Sequence, residues 1–331
     1  MIRYHCNRFM KIAIAFLRLV RWPNLVFIAV TQLLFYYCIV VPVFAEKSVV
    51  PDLGTTHLAL LIIASVCIAA AGYIINDYFD LNIDRVNKPN RIVIEKLIKR
   101  RWAIVWHLLL SLIGVVISFY VSISLGDMIC FLGFSNLACV IALWVYSTTY
   151  KRKLLIGNVL ISVLTAWTVL ILYFAQWQHF DAGDKIIREY VQHYELALTK
   201  LFKLTILYSG FAFIISLVRE VIKDLEDMDG DMKYGCKTMP IVWGIPVTKV
   251  FAGVWAVVLI AVLAIVQFYV MQFGWWGSVA YCFILIIAPL VWIVYKLYHA
   301  QNVSDYHRLS TAVKVVMFTG ILSMLFFRIY Q

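Results

Sequence analysis

Nine apolar runs, each long enough to cross a lipid bilayer, constrain this chain more than any other feature. They lie at about Leu19 to Val41, Leu58 to Tyr78, Trp102 to Ser124, Met128 to Tyr146, Leu154 to Gln176, Leu204 to Val218, Val250 to Met271, Trp275 to Leu297 and Ala312 to Tyr330. A soluble domain of 331 residues would not be 63% hydrophobic and only 14% charged, so the chain is expected to be a polytopic membrane protein. With no water to satisfy backbone groups in lipid, the fold class is all-α, with about nine transmembrane helices. The run from Leu204 is the shortest and must continue as helix through Arg219 to Val221.

The cations set the orientation. Placing the N-terminus in the cytoplasm puts 23 of the 29 Lys and Arg residues on that side, leaving Lys47, Lys185, Arg188, Lys200, Lys203 and Arg328 outside. The positive-inside rule therefore favours a cytoplasmic N-terminus and, with nine spans, an external C-terminus. A net charge of +11 follows from this asymmetry and from contact with membrane lipids and anionic ligands. It gives no case for nucleic-acid binding. The seven cysteines stand singly, which suggests neither a disulfide framework nor a zinc site.

Half of the 18 acidic residues gather in two stretches, both on the cytoplasmic side. In Asn76–Arg91, Asp77, Asp80 and Asp84 recur at i, i+3 and i+7, within an arc of roughly 60° on a helix. Asp224, Asp227 and Asp231 repeat that spacing at a constant offset of 147 residues, with Glu220 one turn earlier on the same face. Glu226 and Asp229 project away from this face and are not expected as ligands, and Gly230 is expected to end the helix. Carboxylates this close repel one another, and a shared divalent cation removes the penalty. Mg²⁺ suits hard oxygen ligands and completes its shell with water and phosphate. The offset also points to an internal repeat, 19–150 and 154–298, within one membrane-embedded domain, 1–331.

Cations follow the first stretch closely. Arg85, Lys88 and Arg91 can reach an anion bridged to the aspartates by metal, whereas Lys96, Lys99, Arg100 and Arg101 suit lipid headgroups. The turn after the fourth span carries Lys151 to Lys153 between Tyr146 and Asn158, and reads either as a topology signal or as part of a site. Asn24, beside Arg21-Trp22-Pro23, is either a helix cap or a substrate contact. The segment from Trp177 to Lys203 reads as an amphipathic or loop segment without chemistry.

Two carboxylate clusters, metals, nearby cations and an apolar interior suit a long hydrocarbon bearing a diphosphate, whose allylic C–O bond breaks as charge grows on the leaving group. Asn76-Asp77-x-x-Asp80-x-x-x-Asp84-Arg85-x-Asn87-Lys88-Pro89-x-Arg91 with Asp224-x-x-Asp227-x-Asp229-Gly230-Asp231 resembles the paired aspartate motifs of the UbiA superfamily of intramembrane prenyltransferases. The resemblance covers nearly the whole chain. It implies a helical bundle around a central cavity, a prenyl diphosphate donor, and a lipid or aromatic acceptor. It assigns the six aspartates and Asn76 to Mg²⁺ and diphosphate, and Arg85, Lys88, Arg91 and Lys151 to the phosphates. Tyr146 and Lys151 match the family's tyrosine–lysine element approximately, Lys151 standing five residues on.

Within the superfamily, Arg219-Glu220-x-x-Lys223-Asp224 and Gly157-Asn158 resemble the digeranylgeranylglyceryl phosphate synthase branch and, more distantly, chlorophyll synthases. That adds Lys223 and Asn158 to the substrate-binding candidates and implies attack by a glycerol-phosphate ether hydroxyl on a geranylgeranyl-type cation. The sequence departs at Arg91-Ile92-Val93-Ile94-Glu95-Lys96, where many relatives carry Arg-Pro-Ile-Pro-Ser-Gly. The other readings are prenylation of an aromatic quinone precursor, an alcohol phosphatidyltransferase, whose motif does not occur here, and a cation transporter with acidic gates. In such a transporter, ionisable groups belong near the bilayer midplane.

Overall fold

The computed structural model describes residues 12–87, 89, 92–177 and 185–330. Among these residues nine helices are long and apolar enough to cross a membrane, as the hydropathy pattern predicts. They are α1 (Trp22–Glu46), α2 (Thr55–Asn87), α3 (Arg100–Ser124), α4 (Phe131–Thr148), α5 (Ile156–Phe174), α6 (Lys185–Glu226), α7 (Ile245–Met271), α8 (Trp276–His299) and α9 (Val303–Tyr330). The protein is a multi-pass membrane protein of all-α class. Prolines shape two of the helices. Pro42 in α1 and Pro289 in α8 each follow a π-helical turn, Tyr36–Val40 and Phe283–Ile287. A proline cannot donate to the i−4 carbonyl and clashes with it, so the preceding turn opens by one residue.

The chain forms two compact units. The first comprises residues 1–30, 53–153 and 229–236, and the second 31–52, 154–228 and 237–331.

In the first unit α2, α3 and α4 pack against one another. Small residues let the backbones approach: a Cβ on Gly114 of α3 would lie 2.7 Å from Ile68 and 3.0 Å from the Ala64 carbonyl of α2. One buried polar chain ties these helices together. Asn136 Nδ2 donates to Ser118 Oγ at 2.7 Å, and Ser118 donates to the Gly114 carbonyl at 2.8 Å. Residues 12–19 form a helix whose Ala15 and Leu19 join Ala70 and Ile74 of α2 and Val93, Ile94 and Ile98 of the following loop in one core.

In the second unit α6 is the axis, packed against α5, α7 and α9. Ile215, Val218, Ile222 and Leu225 of α6 are buried with Ala252, Ala256 and Leu259 of α7, Leu290 and Ile293 of α8, and Val313 of α9. The helix has 42 residues, about 63 Å at 1.5 Å per residue, roughly twice the hydrocarbon thickness of a bilayer. It therefore projects well beyond the apolar run from Leu204. From Lys185 onward the segment taken as amphipathic or loop is helix, continuous with the span. Its N-terminal half is fastened by Tyr194, which is fully buried, packs its ring on Phe44 at 5.0 Å and donates its hydroxyl to the Gln176 carbonyl at 2.8 Å. Lys200 pairs with Glu46. Beside them, burial pushes the Asp52 carboxyl up to about 6, against a lowering by the Tyr194 hydroxyl.

Candidate active site

The first aspartate motif ends α2, and the second begins at the end of α6. Helix α2 continues without a break to Asn87, so the i, i+3, i+7 spacing of Asp77, Asp80 and Asp84 is a true helical spacing. Asp80 is buried at 4% exposure. Asn76 Nδ2 donates to its Oδ2 at 2.7 Å, and the Lys151 ammonium pairs with the same oxygen.

Lys151 comes from a 3₁₀ turn, Tyr150–Arg152, that follows α4. Burial alone would lower its pKa; Asp80, Tyr146 and Asp84 together hold it above the ordinary lysine range. The structure thus gathers Tyr146, Lys151, Asp80 and Asp84 into one electrostatic group. The five-residue spacing of Tyr146 and Lys151 is accommodated by the 3₁₀ turn.

Asp77 has a partner that the sequence did not suggest. Arg21 Nη2 donates to Asp77 Oδ1 at 2.7 Å, and the guanidinium lies 5.1 Å from the Tyr73 ring centroid. Tyr73 and Asp77 are one turn apart on α2, so a single planar cation covers both. Arg21 sits between helix 12–19 and α1 with φ of 52°, a left-handed conformation that turns the chain sharply. The desolvation of Arg21, which lowers its pKa, is more than offset by Asp77 and Tyr73. The available signal was a cation immediately before a proline-initiated helix on the side carrying Asp77. Asn24 stands in the next turn, where its N–H donates to the Arg21 carbonyl at 2.8 Å.

Arg85 is not aimed at the aspartates: it pairs with Glu95 at 2.7 Å. The loop after α2 folds back and places Glu95, at φ of 69°, within its reach. Lys88 and Arg91 lie outside the described residues.

The second motif is divided. Helix α6 ends at Glu226, and a second short helix, Met228–Lys233, follows. Gly230 therefore lies inside a helix and does not terminate one. Its role is close approach, since its N–H donates to Asn87 Oδ1 at 2.9 Å and a Cβ there would fall 2.4 Å from that oxygen. This contact seats Asp231, 6% exposed, in the same unit as Asp80. Cys236, in that unit, has its thiol pushed up by burial and then by Asp231, with Arg152 and Lys151 opposing and Asp80 reinforcing. Asp224 and Asp227 belong to the second unit. Asn158, 9% exposed at the start of α5, donates from Nδ2 to Asp224 Oδ2 at 2.8 Å. Glu226 turns to His307 of α9 at 2.8 Å. Lys223 and Arg219 both hold Glu220, at 2.8 and 2.9 Å.

Among the described residues no three acidic, imidazole or thiol groups stand together as a ready-made cation cage. The donor set still fits Mg²⁺, which takes one or two carboxylates and leaves the remaining positions to water and phosphate. Asn76 Oδ1 adds a hard amide oxygen, buried and without a hydrogen-bond partner among the described residues, one turn from Asp80.

Fold and site together define a multi-pass all-α membrane protein with carboxylates, amides and cations gathered at the ends of long helices. The model of the UbiA prenyltransferase family matches residues 22–322, and the chain belongs to that family. The enzyme reading therefore stands over the transporter reading. A digeranylgeranylglyceryl phosphate synthase from Methanosphaera stadtmanae is 29% identical over 277 residues, covering 82% of this chain and 89% of the relative. Two solved structures share the fold. A digeranylgeranylglyceryl phosphate synthase has a TM-score of 0.59 at 22% identity, over 95% of this chain and 98% of that one. A UbiA homologue from Archaeoglobus fulgidus bound to DMAPP and Mg²⁺ has a TM-score of 0.53 at 14% identity, over 93% and 99%.

Proposed function

We propose that this enzyme transfers a geranylgeranyl-like prenyl group from an allylic diphosphate to the free hydroxyl of a glycerol-phosphate ether lipid, in a Mg²⁺-dependent reaction. The observation that carries the reading is the cation pairing of the first motif: Arg21 and Lys151 lie directly on Asp77 and Asp80. That arrangement gives a leaving diphosphate positive charge from the chain as well as carboxylates for metal. The similarity to archaeal digeranylgeranylglyceryl phosphate synthases across most of both chains supports the acceptor class. The A. fulgidus homologue, solved with an allylic diphosphate and Mg²⁺, supports the donor and the ion.

In this reading the allylic C1–O bond breaks with its electron pair leaving on the diphosphate. The acceptor oxygen then bonds C1 and loses its proton. Asp77, Asp80, Asp84, Asp224, Asp227 and Asp231, with Asn76, would hold Mg²⁺, which when bound supplies charge neutralisation for the leaving group. Lys151 and Arg21 bind the diphosphate oxygens by charge-assisted hydrogen bonds. Tyr146 steadies the Lys151 ammonium, and Asn158 orients the Asp224 carboxylate. Lys88, Arg91 and Asn24 complete the proposed substrate contacts, whereas Arg85 and Lys223 would have to leave Glu95 and Glu220 to join them. Apolar helix walls exclude water from the allylic cation. We take the active site and N-terminus to be cytoplasmic in an archaeal or bacterial plasma membrane. Residues 1–331 then act as one domain whose halves, 19–150 and 154–298, each contribute one aspartate-bearing helix end.

The test is incubation of the purified protein in lipid nanodiscs with C10 to C20 allylic diphosphates, Mg²⁺ and a panel of ether-lipid and aromatic acceptors. Released diphosphate and the mass of the new lipid are measured. The expected result is a prenylated glycerol-phosphate ether, abolished by EDTA; no diphosphate release from any donor would sink the proposal.

A further inference from the structure

Tyr73 stands on the aspartate face of α2 and takes no part in the reaction proposed above. At 100° per residue it falls about 40° from Asp77 and about 20° from both Asp80 and Asp84, inside the arc that the three carboxylates occupy. It precedes Asp77 by four residues, about 6 Å along the axis toward the apolar run. Helix α2 is unbroken from Thr55 to Asn87, so this placement holds along the whole motif. The residue is half-buried, and Arg21 Cζ lies over its ring, 5.1 Å from the centroid.

Arg21 is anchored at its two ends by different means. Its main chain is pinned, since Leu19 and Val20 just before it are buried with Ala70 and Ile74 of α2. Its guanidinium meets two side chains among the described residues, Asp77 at 2.7 Å and the Tyr73 ring. These two holds differ in kind. Asp77 is also a proposed Mg²⁺ ligand, and a divalent cation on that carboxylate competes with Arg21 for the same oxygens and repels it. The ring offers a neutral face that a metal does not claim, and its quadrupole attracts a cation placed over it. The Arg21 side chain is 38% exposed. Released from Asp77, it would lose its direction to the freedom of a long side chain in water unless the ring retained it.

We infer that Tyr73 is a positioning residue: its ring keeps the Arg21 guanidinium turned toward the donor's diphosphate while Asp77 is engaged with metal. The inference rests on the prenyl-transfer function proposed above and adds the residue that holds the cation in place. The flat face of the ring does this, and the hydroxyl is not required.

The test is equilibrium binding of an unreactive thiolo analogue of geranylgeranyl diphosphate, with Mg²⁺, to the protein in nanodiscs. Wild type is compared with Tyr73→Phe, Tyr73→Leu, Arg21→Gln and the protein carrying both Tyr73→Leu and Arg21→Gln. Loss of the ring should weaken binding about fivefold in Tyr73→Leu, the scale of one partly exposed cation–π contact. Tyr73→Phe, which keeps the face, should stay within about twofold. In the Arg21→Gln background Tyr73→Leu should change binding by less than about twofold, because the cation it holds is gone. A full loss in that background would show that Tyr73 acts without Arg21, and Tyr73→Phe falling as far as Tyr73→Leu would assign the effect to the hydroxyl. Either result overturns the inference, as does unaltered binding in Tyr73→Leu. Tyr73→Met takes the place of Tyr73→Leu, with the same outcomes expected, if the leucine protein fails to assemble. Binding needs no acceptor, so it is read separately from turnover. Wild-type protein that shows this coupling yet transfers no prenyl group would refute the proposed reaction and leave the role of Tyr73 standing; wild-type protein that does not bind the analogue overturns both.

Discussion

Helix α2 presents its aspartates to cations brought from other segments, Arg21 on Asp77 and Lys151 on Asp80. Helix α6 meets Asp224 with the neutral amide of Asn158 and directs its own Arg219 and Lys223 to Glu220. The same i, i+3, i+7 spacing is thus built into two different electrostatic settings. A carboxylate facing a fixed cation is already balanced in the folded chain. A carboxylate that accepts from a neutral amide is oriented by a hydrogen bond that carries no net charge. The comparison teaches that duplicated spacing does not bring duplicated surroundings: cations from other segments stand on the first motif, and an amide stands on Asp224 in the second.

The largest expected effect tests whether both ends are needed. Asp77→Ala or Asp224→Ala should each lower turnover by about 10³-fold or more, the scale of a lost electrostatic contribution to the transition state. Glu226→Ala, whose side chain faces His307, should stay within about threefold; equal losses at all three would break the face assignment. Next, Gly230→Ala forces a Cβ to within 2.4 Å of Asn87 Oδ1 and should cost about 1–3 kcal/mol of stability. Thermal unfolding would register this, and adding Asn87→Ala should recover part of it. Sharper is the pair Lys151→Ala and Asn158→Ala. The first should raise the donor's KM about 10-fold or more and weaken the salt dependence of binding, while the second should change the KM only a few-fold and instead raise the Mg²⁺ concentration needed for half-maximal rate. Identical profiles would erase the distinction drawn between the two ends.

The smallest effect lies at the end of the α6 unit remote from Asp224. Asp52 has its pKa raised from the ordinary 3.8 to about 6, so the folded state favours its protonated form. That contribution is fully present below about pH 4 and is lost as pH rises through 6. After discounting for partial exposure, Asp52→Asn should stabilise the protein above pH 6 by about 1 kcal/mol. The unfolding midpoint between pH 4 and 7 should flatten accordingly; an unchanged slope would show that the carboxyl is not destabilised by burial.

The spans were legible because lipid leaves the backbone no choice but helix, so hydropathy alone finds all nine; it stops at Tyr78 where Thr55–Asn87 runs on, because the polar motif that continues the helix carries no hydropathy signal. The N-terminal half of α6 was not legible, because its polar residues carry no hydropathy signal and its helicity is maintained by packing around Tyr194. The spacing of Asp77, Asp80 and Asp84 was readable, since periodicity is a local property. Their partners were not. Arg21 reaches Asp77 only through a left-handed turn, and Lys151 reaches Asp80 only through a 3₁₀ turn, and neither leaves a mark on spacing. Gly230 was misread as a terminator because close approach to Asn87, 143 residues away, is invisible from its neighbours.

The octet 229–236 is threaded from α6 yet belongs to the unit built on α2. During synthesis, the N-terminal bundle therefore has all of its own pieces only once the ribosome has passed Cys236, however early α2, α3 and α4 enter the bilayer. A gene split between 153 and 154 would strand this octet on the wrong polypeptide. Reassembly of two such fragments would then require the later one to donate its octet to the earlier.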